Sequence, residues 1–548
     1  MKILLIAPEA YYLPVGMAFI SAVLKRAGHE VDTCYQGQHM DFLAKPGKRY
    51  DFIGSGGMSS QLAVMRQIRQ IARDYGATFI CGGPVISADP MVMAEMIGVD
   101  YGVVGEGEET VVELFDCLDR GEDPRGILGL VYRVADGYVQ TNVRKKFLDI
   151  NTLPRPDLDS FGYAERLEMA RPSDVYYLDI FDFPREYPLI TSRSCPFSCT
   201  FCYQPDNRRY RVRDIDDVIN ELRDVIYKHH INIVSIYDEL FHAKDERLIE
   251  FCDKFKALRE TIPWDVRWSC QARVTHMTDA LLEKLADSGC FVISYGIESY
   301  SRSILESMRK KITPEQIDKT VAATLAHGIS VQGNFLFGDP KETIETAQET
   351  LDFWRTHLNY GIVLYWIIPI PGSPVHQYAR QHGMLGDLED FLLNRYYKPV
   401  NFTGMSDRDF SEVERRVFQH KMLHCGWQTP IEVTPASIKI ECPHCQSEMH
   451  YKNYPNKTYR FHAMFYCRNC RHRFYGAAPL YKLYAQMVGH LVFNPWVYKR
   501  YIEFYKFLQR TKSFARNLPG EISQFFGGGA IGMDIRTMRE ESRIGKNI

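Results

Sequence analysis

Two sets of cysteines in this 548-residue chain have spacings that serve chemistry better than packing. "SCPFSCTFCY" places Cys195, Cys199 and Cys202 within eight positions, with the aromatic Tyr203 directly behind the last. "CPHC" and "CRNC" place Cys442, Cys445, Cys467 and Cys470 in two CxxC pairs. The second set supplies four thiolates on two knuckles, a closed tetrahedral site for zinc, with mononuclear iron or a redox disulfide pair as alternatives. The first set falls one short. A structural zinc takes four protein ligands and a four-iron cluster also takes four. Three thiolates therefore leave one iron open to a small molecule, or else the crowding is accidental core packing.

The rest of the composition sets the setting for those thiols. Fourteen cysteines would suggest a disulfide framework in a secreted chain. The opening "MKILLIAPEA" is instead too short an apolar run for a signal peptide and reads as a buried strand. No apolar stretch approaches the roughly 18–20 residues that a membrane span needs. The expected location is the cytoplasm, where thiols stay reduced, and the seven cysteines outside the clusters are expected to pack in cores. A formal net charge of −2 argues against a general polyanion binder, so no specific nucleic-acid partner is expected.

The elements that must position these groups alternate. "KILLIA", "EVDTCY", "YDFIGSG", "ATFICGG" and "VDYGVVG" read as strands separated by amphipathic helices, which predicts a Rossmann-like doubly wound parallel sheet. Ligands of such sheets sit beyond the carboxyl ends of the strands. Those ends carry "GGMSSQ" (56–61), "CGGPVIS" (81–87) and "GEGEE" (105–109), the last lying after the final strand of this domain as read here. No GxGxxG opens the first helix, so a dinucleotide is not indicated. From about residue 187 the alternation restarts with six strands, "PLITS", "NIVSIY", "VRWSCQ", "FVISYG", "ISVQGNFLF" and "IVLYWII", which predicts an incomplete (β/α)6 barrel. Thr313, Pro314 and Gln316 form a helix-start signature and Gly328 a stop.

"SRSCPFSCTFCY" resembles the CxxxCxxC-aromatic motif of the radical S-adenosylmethionine superfamily, and it follows the first barrel strand, where that family carries it. The resemblance implies a 4Fe–4S cluster on Cys195, Cys199 and Cys202 whose open iron chelates S-adenosylmethionine. An electron then cleaves the cofactor to a 5′-deoxyadenosyl radical that abstracts a substrate hydrogen, with an external flavodoxin- or ferredoxin-like donor implied. Later segments resemble the family's cofactor contacts. In "YDELF", Asp238 or Glu239 would hold the methionyl ammonium; in "QAR", Gln271 and Arg273 would face its carboxylate. In "YGIES", Gly296, Glu298 and Ser299 would meet the ribose, and Pro371 of "PIPGSP" and Tyr203 would border adenine. An acid at a strand end is often only a helix cap, and it is the set of these segments, in order and correctly spaced, that carries the resemblance.

The first 120 residues resemble the cobalamin-binding domain that precedes the barrel in one branch of that superfamily. The resemblance implies contacts from Met58, Ser59, Ser60, Gln61, Gly82, Gly83, Pro84, Gly105, Glu106 and Gly107. The DxHxxG motif of other cobalamin proteins is absent, so no histidine ligand to cobalt is expected from the first loop. The alternative is a Rossmann-like domain that binds something else.

The expected organisation is a cobalamin-binding domain (1–135), a linker (136–186), a radical S-adenosylmethionine partial barrel (187–395), a helical extension (396–436), a small zinc-ribbon-like module (437–478) and an aromatic and basic tail (479–548) with a disordered end. The ribbon is expected to be a module outside the radical core, whose metal can be lost without loss of the iron. The tail either packs as a helix or lies on a membrane face, giving peripheral membrane association. The family implies an enzyme that modifies a carbon of a small-molecule or lipid-like substrate, with C-methylation foremost. A cyclase or rearrangement enzyme without methyl transfer is the second reading, and a non-catalytic iron–sulfur and zinc-ribbon binding protein the third.

Overall fold

Short, largely apolar runs form the strands of the amino-terminal part. In the computed structural model these are β1 (Lys2–Ala7), β2 (Glu30–Tyr35), β3 (Phe52–Gly56), β4 (Thr78–Gly82) and β5 (Tyr101–Val103). They pair in parallel in the order β2-β1-β3-β4-β5. The helix Leu62–Tyr75 shows why the crossovers form: Leu62, Met65, Ile68 and Ala72 share its buried face, and Gly76 ends it in the left-handed conformation at φ 81°. The sheet does not end at β5, contrary to expectation. β6 (Leu130–Val134) and β7 (Gly137–Gln140) add an antiparallel hairpin to its edge. The structure describes residues 1–8, 13–145, 148–175, 177–203, 209–454 and 462–510. The end expected to be disordered lies outside them.

The stretch read as a linker begins with β7 and continues as a strap on the first helix, Val15–Arg26. The Asp157 carboxylate accepts from Ser21 Oγ at 2.6 Å and Lys25 Nζ at 2.7 Å. The chain then forms β8 (Glu186–Leu189), followed by a two-stranded antiparallel ribbon, β9 (Ser192–Arg193) and β10 (Arg211–Val212), which brackets the three-cysteine segment. Two units result. One comprises Met1–Glu168, Ile190–Leu222 and Ile368–Val400; the other comprises Met169–Leu189, Arg223–Ile367 and Asn401–Ile548.

The second unit holds the six expected barrel strands. With β8 these are β11 (Ile233–Ile236), β12 (Arg267–Ala272), β13 (Cys290–Glu298), β14 (Ser330–Phe337) and β15 (Ile362–Trp366), all parallel and in sequence order. Thr313 caps its helix through a reciprocal box with Gln316. Trp268 and Phe335, both fully buried, show that the strands are enclosed on their packed faces.

Beyond the helix Asp407–His424, the strands β16 (Glu432–Thr434), β17 (Ser437–Glu441) and β18 (Glu448–Lys452) form one small sheet, and β19 (His462–Tyr466) with β20 (Arg473–Ala477) another. This module packs against the barrel sheet. Tyr466, with no exposed surface, joins a core with Leu178, Ile233, Phe291 and Val292. Its N–H donates to the buried Asp179 carboxylate at 2.8 Å. Arg468 Nε donates to the Asp179 carbonyl at 2.9 Å, and buried Arg473 Nε to Ser330 Oγ at 3.2 Å. Ile233, Phe291 and Ser330 all stand at the amino-terminal ends of their strands, so the module closes that end of the half-barrel. From Phe291 to Glu298, at the far end of β13, is roughly 23 Å of strand.

Candidate active site and metal centres

β9 and β10 set the geometry of the three-cysteine loop in the first unit. Arg193 pairs with Arg211 and Ser192 with Val212 across the ribbon. Ser194, at φ 71°, turns the chain out of β9 straight into Cys195. Cys199 is buried, Cys195 half-buried and Cys202 exposed. The Cys202 N–H donates to the Cys199 carbonyl at 3.3 Å and the Val375 N–H to the Thr200 carbonyl at 3.0 Å. The hydroxyls of Ser194 and Thr200, beside the thiols, are buried with no protein partner. Thiols that differ in access, flanked by uncommitted hydroxyl donors, fit an iron–sulfur cluster, whose sulfurs accept hydrogen bonds.

The same unit brings Tyr203 against the "PIPGSP" loop. Gly372, at φ 86°, lies so close that a Cβ there would sit 2.6 Å from the Tyr203 ring. Pro371 is its neighbour, so two of the expected adenine-bordering residues are gathered. Ser373 then caps the helix Pro374–Gln381. His376, on that helix, is 2 % exposed with Nε2 unpartnered, and burial holds its pKa down to about 4.

In the second unit the remaining expected cofactor contacts stand at the carboxyl ends of neighbouring strands. The Tyr237 N–H donates to the Leu189 carbonyl at 2.9 Å and the Phe241 N–H to the Gln271 carbonyl at 3.1 Å, which ties the "YDELF" loop to β8 and β12. Asp238 is buried, whereas Glu239 and Gln271 are exposed. Arg273 is buried and donates to the Lys310 carbonyl. The register of β13 against β14 shifts between Tyr295 and Glu298, and Glu298 takes φ 60°, a conformation that costs a non-glycine residue energy and is common at functional sites. Its carboxylate accepts from buried Lys310 Nζ at 2.7 Å, and Gly296 leaves the room this pair needs. Ser299 does something else: its hydroxyl meets Thr350 Oγ1 at 3.1 Å and accepts from the Ser301 N–H at 3.1 Å, holding its own loop.

Lys310 was not singled out by the sequence reading. The one signal was a "KK" pair just ahead of the capped helix at Thr313. Glu342, in the loop after β14, was also missed; burial pushes its pKa up to about 8 against the Gly338 N–H that it accepts.

At the carboxyl ends of β3 and β4, glycines let two backbones touch. A Cβ on Gly83 (φ 81°) would meet the Gly57 backbone at 3.2 Å, and the Val85 N–H donates to the Gly57 carbonyl at 2.9 Å. Part of the glycine content thus serves loop-to-loop packing, beside any ligand. Gln61 Oε1 accepts from the Met58 N–H at 2.8 Å, leaving Met58 exposed; Ser59 is buried and its hydroxyl has no protein partner. Ser60, Gly82, Pro84, Gly105 and Gly107 are all half-buried on these loops. Half-exposed glycine loops with an uncommitted hydroxyl fit a large flat cofactor. Glu106 is committed: it accepts from Arg193 at 2.9 Å and from Arg211 at 2.7 Å. Burial raises its pKa, but hydrogen bonding to Arg211 and the charge of Arg193 more than offset this, and the net shift is downward.

The four cysteines of the second set converge, with all four sulfurs within 4.8 Å of one another. Cys442 and Cys470 are 3.7 Å apart, Cys445 and Cys467 3.6 Å. A metal bonded to four sulfurs at about 2.3 Å sets them about 3.8 Å apart, so the spacing suits one tetrahedral ion. The two knuckles repeat one geometry. The Gln446 N–H donates to the Cys442 carbonyl and the Arg471 N–H to the Cys467 carbonyl, each at 2.9 Å, with Gln446 at φ 58° and Arg471 at φ 70°.

Comparison with known proteins agrees with this arrangement. Residues 1–115 match the B12 binding domain and residues 189–353 the radical SAM superfamily. An uncharacterized methyltransferase of Pyrococcus horikoshii, PH0819, is 28% identical over 70% of this chain and 84% of its own. The anaerobic magnesium-protoporphyrin IX monomethyl ester cyclase of Cereibacter sphaeroides is 24% identical over 76% of this chain and 68% of its own. The solved structure of TsrM, a radical S-adenosylmethionine methyltransferase from Kitasatospora setae with cobalamin and a [4Fe-4S] cluster bound, shares the fold with a TM-score of 0.57 at 19% identity, over 70% of this chain and 76% of that one. The two domains imply a 4Fe–4S cluster, S-adenosylmethionine and cobalamin as cofactors, a small-molecule substrate and an external reductant. Carrying both domains in one chain, the protein belongs to the cobalamin-binding-domain-containing radical S-adenosylmethionine enzymes.

Proposed function

We propose that this enzyme methylates a carbon centre of a small or lipid-like molecule in the cytoplasm, drawing electrons from a flavodoxin- or ferredoxin-like donor. The observation that carries the reading is the presence, in one unit, of the cobalamin-type cradle and the three-cysteine loop. When bound, the cluster and S-adenosylmethionine supply a hydrogen-abstracting radical and cobalamin a transferable methyl group. The chain's own residues then have the following parts. Cys195, Cys199 and Cys202 hold the cluster; Tyr203 and the Pro371–Gly372 turn border the adenine. Asp238, buried, is favoured over exposed Glu239 for the methionyl ammonium, and Arg273 serves the carboxylate. Glu298, held in place by Lys310, accepts from the ribose. Ser59 and the glycines at 82 and 83 seat cobalamin, and the four-cysteine module holds zinc as a structural ion.

Anaerobic reconstitution tests the reading. A bound corrinoid spectrum, with S-adenosylhomocysteine and 5′-deoxyadenosine both formed from S-adenosylmethionine on reduction, is the expected result. Deoxyadenosine without S-adenosylhomocysteine would instead support a cyclase, as the relative from Cereibacter sphaeroides suggests.

We also infer that the carboxy-terminal helices Pro479–Leu491 and Pro495–Arg510 rest on an anionic membrane surface. Leu480, Leu483, Met487 and Leu491 recur on one helical face and are 51–57% exposed, while Tyr481, Tyr484, Ala485 and Val488 fill the buried face. Phe493 and Trp496 extend the apolar stripe, with Lys482, Lys499 and Arg500 alongside. Such a pattern suits a helix lying in a lipid interface. No helix among the described residues is long and apolar enough to cross a membrane.

A further inference from the structure

We propose that Glu106 is a positioning residue that fixes the base of the three-cysteine loop to the ligand-bearing loops of the B12 binding domain. The inference builds on the function proposed above and assigns Glu106 a part other than the cobalamin contact expected from sequence. It starts from an unfavourable pairing. Arg193 and Arg211 are direct partners across β9 and β10, and like charges placed opposite each other weaken a two-stranded ribbon. This ribbon is what closes the loop carrying Cys195, Cys199 and Cys202.

Glu106 resolves the conflict by standing between the two guanidiniums. Its Oε1 accepts from Arg193 Nη1 and from Arg211 Nη2, each at 2.9 Å, and its Oε2 from Arg211 Nη1 at 2.7 Å. The remaining groups complete the clamp. Arg193 Nη2 donates to the buried Glu108 at 2.6 Å, Arg211 Nη1 to the Leu148 carbonyl at 3.1 Å, and the Arg193 guanidinium lies over the Phe19 ring at 5.3 Å. The ribbon is too short to hold its register by backbone pairing alone, so the charge network carries that task.

The other side of the clamp is equally fixed. The Gly105 N–H donates to Ser87 Oγ at 2.8 Å, which ties the "GEGEE" loop to the glycine loop after β4. Gly107 is hemmed by Ile20 and Val103, at 3.2 and 3.3 Å from where a Cβ would stand. A displacement of Glu106 therefore moves the cysteine loop relative to the cradle that would seat cobalamin. In a reaction where both centres act on one substrate, that register decides whether a substrate radical meets its methyl donor.

The test compares Glu106→Gln, Glu106→Asp and Arg193→Gln in the full-length reconstituted enzyme. Glu106→Gln is expected to bind corrinoid and assemble a cluster. The reduced cluster's paramagnetic resonance should be altered in the presence of S-adenosylmethionine. Deoxyadenosine formed per S-adenosylhomocysteine should rise about thirtyfold, the low end of the effect of losing one partner of a buried hydrogen-bonded charge pair. Arg193→Gln should reproduce the uncoupling and Glu106→Asp should restore part of it. If Glu106→Gln fails to fold, Glu106→Asp and Arg193→Gln carry the comparison. Wild-type resonance and product ratio in the variants would overturn the proposal. So would selective loss of corrinoid with an unchanged cluster signal, which would mean direct cobalamin contact. If the wild type binds no corrinoid, the proposed function fails while the cluster resonance still reports on the clamp.

Discussion

Removal of the proposed ion from the four-cysteine module should loosen the far end of the half-barrel, not merely unfold a small appendage. The module's own core is slight, built around Ile438, Ile440, Tyr451, Phe465 and Phe474. Modules of this kind owe their folding to the metal, whose binding is worth about 10–16 kcal/mol in zinc-finger peptides. With Cys442→Ser, or with a chelator, the ion should leave and β17–β20 should open. Tyr466 then withdraws from Leu178, Ile233, Phe291 and Val292. An aromatic side chain buries about 150–250 Å², which at about 25 cal/mol per Å² gives an upper value of about 4–6 kcal/mol. The bonds to Asp179 and Ser330 are regained from water and add little net. A loss of about 4 kcal/mol corresponds to roughly a thousandfold fall in the protection of amides that open locally. Hydrogen exchange read by mass spectrometry, with and without chelator, measures this directly. Peptides from the starts of β13 and β14 should exchange much faster, while those from β1 to β4 stay unchanged. Fast exchange confined to residues 437–478, with the barrel untouched, would refute the reasoning and restore an independent module.

Cys199→Ala should reduce the iron bound at the three-cysteine loop to background and abolish deoxyadenosine formation, as elemental analysis and chromatography would show, while zinc content is unchanged. His376 gives a pH dependence. Its folded pKa, lowered by burial to about 4, lies below the unfolded value of about 6.5, so its contribution is full above the unfolded value and is lost as pH falls from about 6.5 to 4, by up to about 1.4 kcal/mol per unit. Melting curves of His376→Gln against wild type across that range should converge at the acid end. Leu483→Glu with Met487→Glu should weaken sedimentation with anionic vesicles more than about tenfold without altering the melting temperature, because about 1 kcal/mol per basic residue cannot hold the surface without the apolar face. Equal binding by the variant, or a dimer that the substitutions dissociate, would contradict membrane docking.

What was legible in the sequence was whatever had a local cause. β1 to β5 were readable because each is a short apolar run with a turn residue at its end, and the capping box at Thr313 because its partner is three residues away. The four-cysteine site was readable because each knuckle is written within four positions. The hairpin of β6 and β7 was not, since only part of it is buried and its strands show no strong alternation. Lys310 was hidden for a related reason. Nothing near "MRKKI" distinguishes a lysine that faces solvent from one that meets Glu298 after a register shift in a strand.

The docking of the cysteine module and the clamp at Glu106 share a deeper reason for being invisible. Asp179 meets Tyr466 across 287 positions, and Glu106 meets Arg193 and Arg211 across 87 and 105. Such pairings leave no periodic trace in the chain. In the second case, however, an oddity was present at each end. "GEGEE" has more acid than a phosphate-binding glycine loop requires, because carboxylates at such a site repel an anionic ligand. The two arginines flanking the cysteine segment are likewise unexplained by cluster binding. Charges that a proposed ligand does not need are therefore better read as partners for one another, and here the unneeded charges of the two motifs balance across the base of the cysteine loop.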